Sequence, residues 1–285
     1  MRDIVIGCIT GYDFDKIKPW VNSLDTCGFD GVKVMICYDV NFKTVEELTK
    51  RNYTVLAFNR DEEKKTFFYG KENFSIVVER FLHIWYFLKQ FEGEYRYVVS
   101  TDVKDVIFQT NPIKWLEDNL GEKKINVACE SIHYKDEDWG KNNLIQSFGP
   151  YLYEHSKNNL IYNAGTISGE FNTMLDLFLN VYMLCQSAPQ QVPGGGGPDQ
   201  AALNILLNMK TYKDVTNFAM SEDGYAAQLG TTGPQVLDRF GENLVEKTPI
   251  LKDGLVCTSE GVPFSIVHQY DRVMDWKNVI GKQYE

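Results

Sequence analysis

Two carboxylates close together in the sequence, Asp102 and Asp105, are the strongest candidates for chemistry in this chain of 285 residues. They follow Tyr95–Ser100, whose apolar and β-branched residues predict a buried strand. Carboxylates at the end of a buried strand repel each other, and a hard cation such as Mg²⁺ or Mn²⁺ would relieve that repulsion. Two simpler interpretations remain open. A single Asp often ends a turn or caps a helix, and Lys104 could neutralise the pair without a metal.

His268, in the apolar run Phe264–Tyr270, is a further candidate ligand. A neutral imidazole is a common metal ligand, so His268 would join the two carboxylates if the fold brings the three side chains together. The alternative is a histidine of the hydrophobic core with one ring nitrogen hydrogen bonded.

The elements that would position these groups alternate along the first half of the chain. The predicted strands are Asp3–Thr10, Gly31–Tyr38, Tyr53–Phe58 and Tyr95–Ser100, and the predicted helices are Ile17–Leu24, Val45–Arg51 and Phe74–Phe91. This alternation is typical of an α/β fold with a mostly parallel sheet and helices on both faces. Such sheets bind ligands beyond the carboxyl ends of their strands, which is where Asp102 and Asp105 would lie.

The second half of the chain is less regular. The predicted strands are Asn126–Glu130 and Leu160–Tyr162, the second followed by a turn, and the predicted helices are Phe171–Cys185 and Asp199–Met209. The glycine-rich segment Gln190–Pro198 is predicted to be a mobile loop, and residues 212–285 are predicted to form short strands and loops. Because no linker separates independent units, we expect one domain over residues 1–285.

Arg80 is an unusual residue for its position. At about 100° per residue it falls among Ile76, Ile84 and Phe87 on the apolar face of its predicted helix. A buried guanidinium needs an anionic partner. That partner could be a structural carboxylate on a neighbouring strand or an anionic ligand.

Composition narrows the class of protein. The hydrophobic fraction of 44% excludes a disordered chain, and the formal net charge of −10 argues against a nucleic-acid partner. The sequence shows no secretory leader and no apolar run of membrane-spanning length, which predicts no membrane span and a cytoplasmic location. The six cysteines form no CxxC pair and are expected to be buried, reduced thiols rather than zinc ligands.

Four segments together resemble the GT-A fold glycosyltransferases. The run YRYVVSTDVKDVIFQTNP resembles their metal-binding Asp-x-Asp segment, and Tyr162–Gly165 resembles the Asn-Ser/Ala-Gly turn beside the donor sugar. Gly197–Asn204 resembles the Asp-Gln segment that opens a helix beside the acceptor, and Val267–Tyr270 resembles the late histidine segment. Here two residues, not one, separate the carboxylates. Asp105 aligns with the second Asp of the motif, and the sequence leaves open which carboxylate is the main ligand.

The resemblance implies roles for individual residues. It implies a metal site of Asp102, Asp105 and His268 for Mn²⁺ or Mg²⁺, and a catalytic position near the anomeric carbon for Asp199 or Gln200. It implies that the donor is bound by Thr10, Gly11, Tyr12, Arg80, Asp102, Asn163, Ala164 and Gly165. Simpler interpretations remain for two of these residues, since Asp199 would be favoured by the dipole at the start of its helix and Tyr12 could be a half-buried loop aromatic.

Glu130 and Trp139 are the candidate acceptor-binding residues. Glu130 ends a predicted strand and is followed by an acidic, aromatic loop that contains Trp139. An aromatic ring beside carboxylates suits a sugar, whose C–H face packs on the ring while its hydroxyls donate hydrogen bonds. The alternative is a solvated loop anchored by one tryptophan.

The function expected from the resemblance is transfer of a sugar from a nucleotide diphosphate sugar, more specifically a UDP-sugar, to a hydroxyl of a glycan or other acceptor. The order of the segments resembles retaining members more than inverting ones. Two other functions compete with it, a sugar nucleotidyltransferase and a non-catalytic protein that binds nucleotide sugars or glycans. A nucleotidyltransferase usually has a basic, glycine-rich loop after its first strand, whereas residues 11–15 contain one glycine and two acids.

Overall fold

A computed structural model describes residues 2–58 and 75–284 of the chain. The strands are β1 (Arg2–Thr10), β2 (Val32–Tyr38), β3 (Thr54–Phe58), β4 (Tyr95–Thr101), β5 (Val106–Phe108), β6 (Ile125–His133), β7 (Leu160–Glu170), β8 (Thr216–Ala219), β9 (Ala226–Gln228), β10 (Ile250–Lys252), β11 (Leu255–Cys257) and β12 (Ile266–His268). The α-helices are α1 (Phe14–Thr26), α2 (Phe42–Lys50), α3 (Ile76–Lys89), α4 (Pro112–Asn119), α5 (Asp138–Phe148), α6 (Pro150–Ser156), α7 (Phe171–Cys185), α8 (Asp199–Asn208), α9 (Lys210–Lys213), α10 (Leu229–Thr232), α11 (Leu237–Phe240) and α12 (Met274–Tyr284).

The main sheet of the described residues has seven strands in the order β3-β2-β1-β4-β7-β6-β8. Every neighbouring pair is parallel except for the two pairs that include β7, which runs against β4 and β6. This arrangement confirms the α/β fold with a mostly parallel sheet that the sequence predicts.

Helices cover both faces of this sheet because its strands are apolar on both sides. In β1, Ile4 and Ile6 pack on one face and Val5 packs on the other. Helices α3 and α7 cover the first face, where Phe81 and Phe178 lie with ring centroids 5.9 Å apart. Helices α1 and α4 cover the second face. The two hydrophobic layers hold β1 and β4 in the middle of the sheet.

A second sheet of three strands, β5-β12-β9, brings the late histidine to the end of β4. Strands β12 and β5 are antiparallel, and in their register His268 lies opposite Val106. Residues 102–105 connect β4 to β5. The pairing of β5 with β12 therefore places His268 beside the Asp102 and Asp105 loop, although more than 160 residues separate them in the sequence.

Several predictions for the second half were wrong. Tyr162–Gly165, expected to be a turn, lies within the continuous strand β7, whose residues 166–170 pair with β4 and whose residues 160, 162 and 167–169 pair with β6. The segment Met274–Tyr284 is the helix α12 rather than short strands and loops, and Ile280 anchors it in a small apolar cluster with Val267 and Phe264.

The other predicted strands and helices agree with the structure to within three residues, but the helices α4, α5 and α6 were not predicted. Trp139 lies in α5 and not in a loop, because Glu137 caps that helix by accepting from the N–H groups of Trp139 and Gly140. Gln190–Pro198 is a loop, as predicted. Phe74, the predicted first residue of the long helix, lies outside the described residues. None of the helices in the described ranges combines the length and the hydrophobicity that crossing a bilayer requires.

A buried hydrogen bond fixes the end of β4 next to the two carboxylates. The indole Nε1–H of Trp20, in α1, donates to the hydroxyl of Thr101 at 2.9 Å, and both side chains are buried. Thr101 directly precedes Asp102. The bond therefore ties the packing of α1 to the start of the loop that carries the carboxylates.

We expect Trp20→Phe to lower the free energy of unfolding by about 1–3 kcal/mol, because it leaves the buried Thr101 hydroxyl without its donor. Trp115→Phe is the matched control. Its indole donates to the carbonyl of Asp223 at an exposed position, where water can replace it, so we expect a loss of only about 0.5–1 kcal/mol. Urea unfolding measures both values, and equal losses would contradict the role given to the Trp20 bond.

Candidate functional site

Asp102, Asp105 and His268 form one cluster at the carboxyl end of β4. One ligand atom from each side chain lies within 4.8 Å of the other two. The Nε2 atom of His268 is 3.6 Å from Oδ2 of Asp102 and 3.7 Å from Oδ2 of Asp105. Two carboxylates and one imidazole that converge on one point are a donor set suited to a divalent cation such as Mn²⁺.

The backbone around the cluster is fixed by hydrogen bonds between its strands and loops. The N–H of Asp102 donates to the carbonyl of Gly165 at 2.8 Å, and the N–H of Gln269 donates to the carbonyl of Asp105 at 2.6 Å. These bonds join three separate chain segments around the cluster and hold the backbone that carries the three candidate ligands.

A glycine is required at position 165 because the side chains of Asp102 and His268 come very close to its backbone. A Cβ atom at this position would lie 2.6 Å from Oδ2 of Asp102 and 2.8 Å from Cε1 of His268. These distances are far below van der Waals contact, so the absence of a side chain is what lets β7 pass against the cluster.

Gln228 sets the tautomer of His268. The Nδ1 atom of His268 is 2.8 Å from Oε1 of Gln228, and the Nε2 amide of Gln228 donates to the hydroxyl of Thr166. Because the Gln228 oxygen can only accept, Nδ1 carries the proton, and the Nε2 lone pair of the neutral imidazole faces the carboxylates. A partner that orients the second ring nitrogen in this way is typical of metal-ligating histidines.

The buried charges of the cluster depend on one another. Burial disfavours the charged form of His268, but Asp102, Asp105 and Glu130 outweigh that effect and raise the pKa of His268 above its ordinary value of 6.5. Burial also opposes ionisation of Asp102, yet Arg80 and His268 hold the pKa of Asp102 well below its usual range. Burial raises the pKa of Asp105, which His268 only partly offsets.

Arg80 links the cluster to the start of α8. Its guanidinium donates through Nη1 to Oδ1 of Asp102 and through Nη2 to Oδ2 of Asp199 at 3.2 Å, and Nη2 also lies 3.4 Å from the carbonyl of Ala164. The side chain is only 13% exposed. The sequence left open whether the partner of Arg80 is a carboxylate of the protein or an anionic ligand. The structure shows two carboxylates of the protein, one at the end of a neighbouring strand and one on a helix.

Lys104 does not neutralise the carboxylate pair. Its ammonium group points to Asp271, at 3.8 Å, on the exposed side of the loop. The interpretation in which Lys104 replaces a metal is therefore wrong, because the side chain leaves the cluster on the solvent side.

A second network of buried polar groups lies beside Asp199. The Oε1 atom of Glu130 accepts from the amide of Asn163 at 2.7 Å and from the amide of Gln200 at 3.1 Å. The Oε1 atom of Gln200 accepts from the N–H of Ala164 at 3.3 Å, and burial raises the pKa of Glu130. These bonds fix the predicted Asn-Ala-Gly and Asp-Gln segments against each other.

One cavity of about 650 Å³ includes most of the predicted site residues. Its wall includes Arg80, Asp102, Glu130, Trp139, Asn163, Ala164, Gly165, Asp199, Gln200 and His268. Asp105 is not part of this wall and belongs to the candidate metal cluster beside it. The cavity therefore joins the candidate metal ligands to the predicted catalytic, donor and acceptor residues in one space.

Thr10, Gly11 and Tyr12 are not part of that wall. Thr10 and Gly11 are exposed at the carboxyl end of β1, where the Gly11 N–H donates to the carbonyl of Tyr38. Tyr12 is half-buried and packs against the hydrophobic layer on the α1 side of the sheet. Their role in binding the donor stays a prediction.

Three residues important to the cavity were missed by the sequence analysis. Gln228 orients His268, and Arg239 and Arg272 bring two exposed guanidinium groups to the wall of the cavity. Arg272 could have been suspected, because it follows His268 by four residues. Gln228 and Arg239 carry no local signal, since only tertiary contacts bring them to the site.

The sequence matches no protein-family model and no curated protein. Among solved structures, the chain is similar to the crystal structure of an active-site mutant of LgtC, a glycosyltransferase of the GT-A fold, with a TM-score of 0.52 and 12% sequence identity. The similarity covers 98% of this chain and 95% of that chain. At this identity it shows the fold alone, and the fold is the GT-A type expected from the sequence.

We expect Gly165→Ala to weaken Mn²⁺ binding by about tenfold or more, because the added methyl group must displace Asp102 or His268. Gly281→Ala is the matched control, since a Cβ atom there meets nothing within 4 Å. Titration calorimetry measures the affinity, and circular dichroism checks that both variants fold. Equal Mn²⁺ affinity in the two variants would contradict the assigned ligand set.

Metal affinity should also depend on pH through His268. Because its pKa is raised above 6.5, a proton competes for Nε2 as the pH falls from 8 to 6, and the Mn²⁺ dissociation constant should rise by about tenfold per pH unit below that pKa. His268→Gln has no such proton, so its affinity should be lower at pH 8 and much less dependent on pH. Calorimetry at several pH values would show the same slope in both proteins if His268 is not a ligand.

Proposed function

We propose that this chain is a metal-dependent glycosyltransferase that moves a sugar from a nucleotide diphosphate sugar, preferably a UDP-sugar, to a hydroxyl of a glycan or another acceptor. The observation that supports this most is the cavity in which a candidate metal cluster, a buried Arg80 and the carboxylate of Asp199 meet. The GT-A fold shared with LgtC supports the same class of function.

Asp102, Asp105 and His268 would hold the divalent cation. Two carboxylates and one imidazole favour Mn²⁺ over Mg²⁺, because Mg²⁺ prefers oxygen ligands alone. When bound, the cation supplies positive charge that offsets the charge on the diphosphate as it leaves. The buried amide of Gln228 would orient the ring, and in the neutral imidazole its bond to Nδ1 leaves the lone pair on Nε2 for this role.

Two arginines contribute to charge balance in different ways. Arg80 is already paired with Asp102 and Asp199, so its main effect is to hold both carboxylates in place. Arg272 lies near the metal ligands, contributes to lowering the pKa of Asp105, and forms no ion pair among the described residues. We therefore assign Arg272 to the phosphate groups of the donor.

Asp199 and Gln200 lie at the start of α8 and face the same part of the cavity as Ala164 and Gly165. Burial raises the pKa of Asp199, and Arg80 opposes that shift. This carboxylate would stabilise positive charge on the sugar or accept the acceptor's proton. Gln200 is fixed by its bonds to Glu130 and Ala164 and would contact the sugar hydroxyls. The order of these segments favours retention of configuration.

Glu130 and Trp139 extend the site toward the acceptor. Trp139 follows the N-cap Glu137 of α5, and Gly196 lies so close to the indole that a Cβ atom would be 3.3 Å from it. An aromatic face beside a glycine-rich loop and the buried carboxylate of Glu130 suits a sugar ring with its hydroxyls. Thr10, Gly11 and Tyr12, at the end of β1, would contact the nucleotide.

The experiment that tests the function is hydrolysis of UDP-sugars with Mn²⁺ in the absence of an acceptor. We expect the wild-type chain to release UDP with at least one common UDP-sugar, and Asp105→Ala to lower that rate by about 100-fold or more. Asp118→Ala is the matched control, because Asp118 is exposed and its ion-pair partner among the described residues is Lys114. Full activity of Asp105→Ala, or of the wild-type chain in excess EDTA, would contradict the proposal.

The same assay separates the two competing functions. A nucleotidyltransferase would release pyrophosphate from UTP and a sugar 1-phosphate, which we do not expect. A non-catalytic protein would bind the UDP-sugar without releasing UDP.

A further inference from the structure

Arg239 is the cation of the cavity that the proposed donor chemistry does not use. It belongs to the short helix α11, on the wall of the cavity that also contains Phe240 and faces Trp139. Arg80 is already paired with the carboxylates of Asp102 and Asp199. Arg272 lies beside the candidate metal ligand Asp105. Arg239 lies instead at the acceptor end, and its guanidinium is 3.6 Å from Asp138, the residue before Trp139.

The guanidinium of Arg239 is positioned by packing. Its central carbon lies 4.6 Å from the centroid of the Phe240 ring, and Phe240 is buried in an apolar cluster with Ile132 and Leu144. A guanidinium this close to an aromatic ring is attracted to the ring, and its N–H groups can still donate to an anion. Contact with the buried Phe240 ring therefore restricts the position of this cation at the rim of the cavity.

The ion pair with Asp138 does not satisfy these donors. The side chains of Arg239 and Asp138 are 57% and 81% exposed, and a pair in such contact with water contributes little stability. A carboxylate or phosphate on a ligand that enters the cavity can displace Asp138, because it would bind Arg239 in a less hydrated setting with bidentate geometry.

Two carboxylates on the inner side of the proposed acceptor site, Glu130 and Glu137, already accept hydrogen bonds from the protein. Glu137 accepts from the N–H groups of Trp139 and Gly140 at the start of α5, and Glu130 accepts from Asn163 and Gln200. Neither carboxylate pairs with Arg239, whose ion-pair partner among the described residues is Asp138.

From these contacts we propose that the acceptor is an anionic sugar, with a carboxylate or phosphate group that binds Arg239 while the sugar ring packs on Trp139. This inference rests on the proposed glycosyltransferase function and names the acceptor class of the same cavity. The anionic group selects the acceptor, and Asp138 competes with it for the guanidinium.

The test uses the full chain with Mn²⁺ and a UDP-sugar that it hydrolyses, and three matched acceptor sets: neutral hexosides, the corresponding hexuronides and the corresponding hexose 6-phosphates. Product formation by mass spectrometry gives kcat/KM for each acceptor. We expect the anionic acceptors to be preferred over the neutral ones, and the comparison of hexuronides with 6-phosphates identifies which anion the site takes.

The variants move this preference in opposite directions. Arg239→Gln should lower the ratio of kcat/KM for anionic over neutral acceptors by roughly 10- to 100-fold, and Arg239→Lys should restore part of it. Asp138→Asn should raise the ratio by roughly two- to fivefold, because it removes the competing carboxylate. Lys247→Gln is the control, since Lys247 is exposed and, within the part of the chain that the structure describes, its ion-pair partner is Glu260. The ratio for this variant should equal that of the wild-type chain.

Three results overturn the inference while the proposed function stands: donor hydrolysis with no preference among the acceptor sets, a preference for neutral acceptors, or a preference that Arg239→Gln leaves intact. Absence of metal-dependent donor hydrolysis in the wild-type chain contradicts the proposed function itself. The two failures are therefore distinguished within one experiment.

Discussion

The pairing of one buried guanidinium with two carboxylates holds this site together. Arg80 joins Asp102, at the end of β4, to Asp199, at the start of α8. Without it, two carboxylates taken out of water would face each other near the carboxylate of Asp105, and burial would force at least one of them to take up a proton. Because Arg80 lies on α3, the packing of that helix on the sheet determines where both carboxylates point.

The order of the strands explains why distant segments converge here. Strand β7 runs against its neighbours, so Gly165 passes beside the end of β4, and the pairing of β5 with β12 places His268 on the opposite side of the Asp102–Asp105 loop. Each of these two contacts depends on one particular residue. Gly165 has no side chain to obstruct the cluster, and the Nδ1 bond to Gln228 turns Nε2 of His268 toward the two carboxylates.

The sequence predicts the sheet and the cluster well because both have local signals. The apolar runs of β1 to β4 alternate with helices, and Asp102 and Asp105 stand at the end of such a run. The continuous strand β7 was missed because Asn163, Gly165 and Gly169 are poor strand formers. The pairing of β7 with β4 and β6 is a tertiary contact that the sequence does not show. Arg239 and Gln228 depend on tertiary contacts alone, so no pattern in the sequence could identify them. The catalytic and donor roles given to Asp199, Gln200 and Thr10–Tyr12 stay predictions.

The excess of acidic residues and a diphosphate ligand are compatible if some of those acids hold the neutralising cation. Binding of the diphosphate should therefore depend on the cation. Calorimetric titration of UDP into the chain with and without Mn²⁺, for the wild type and for His268→Ala, tests this dependence most directly. The account predicts that Mn²⁺ tightens UDP binding in the wild type by at least about tenfold, and that His268→Ala removes most of this effect. UDP binding of equal strength with and without Mn²⁺ in the wild type would contradict it.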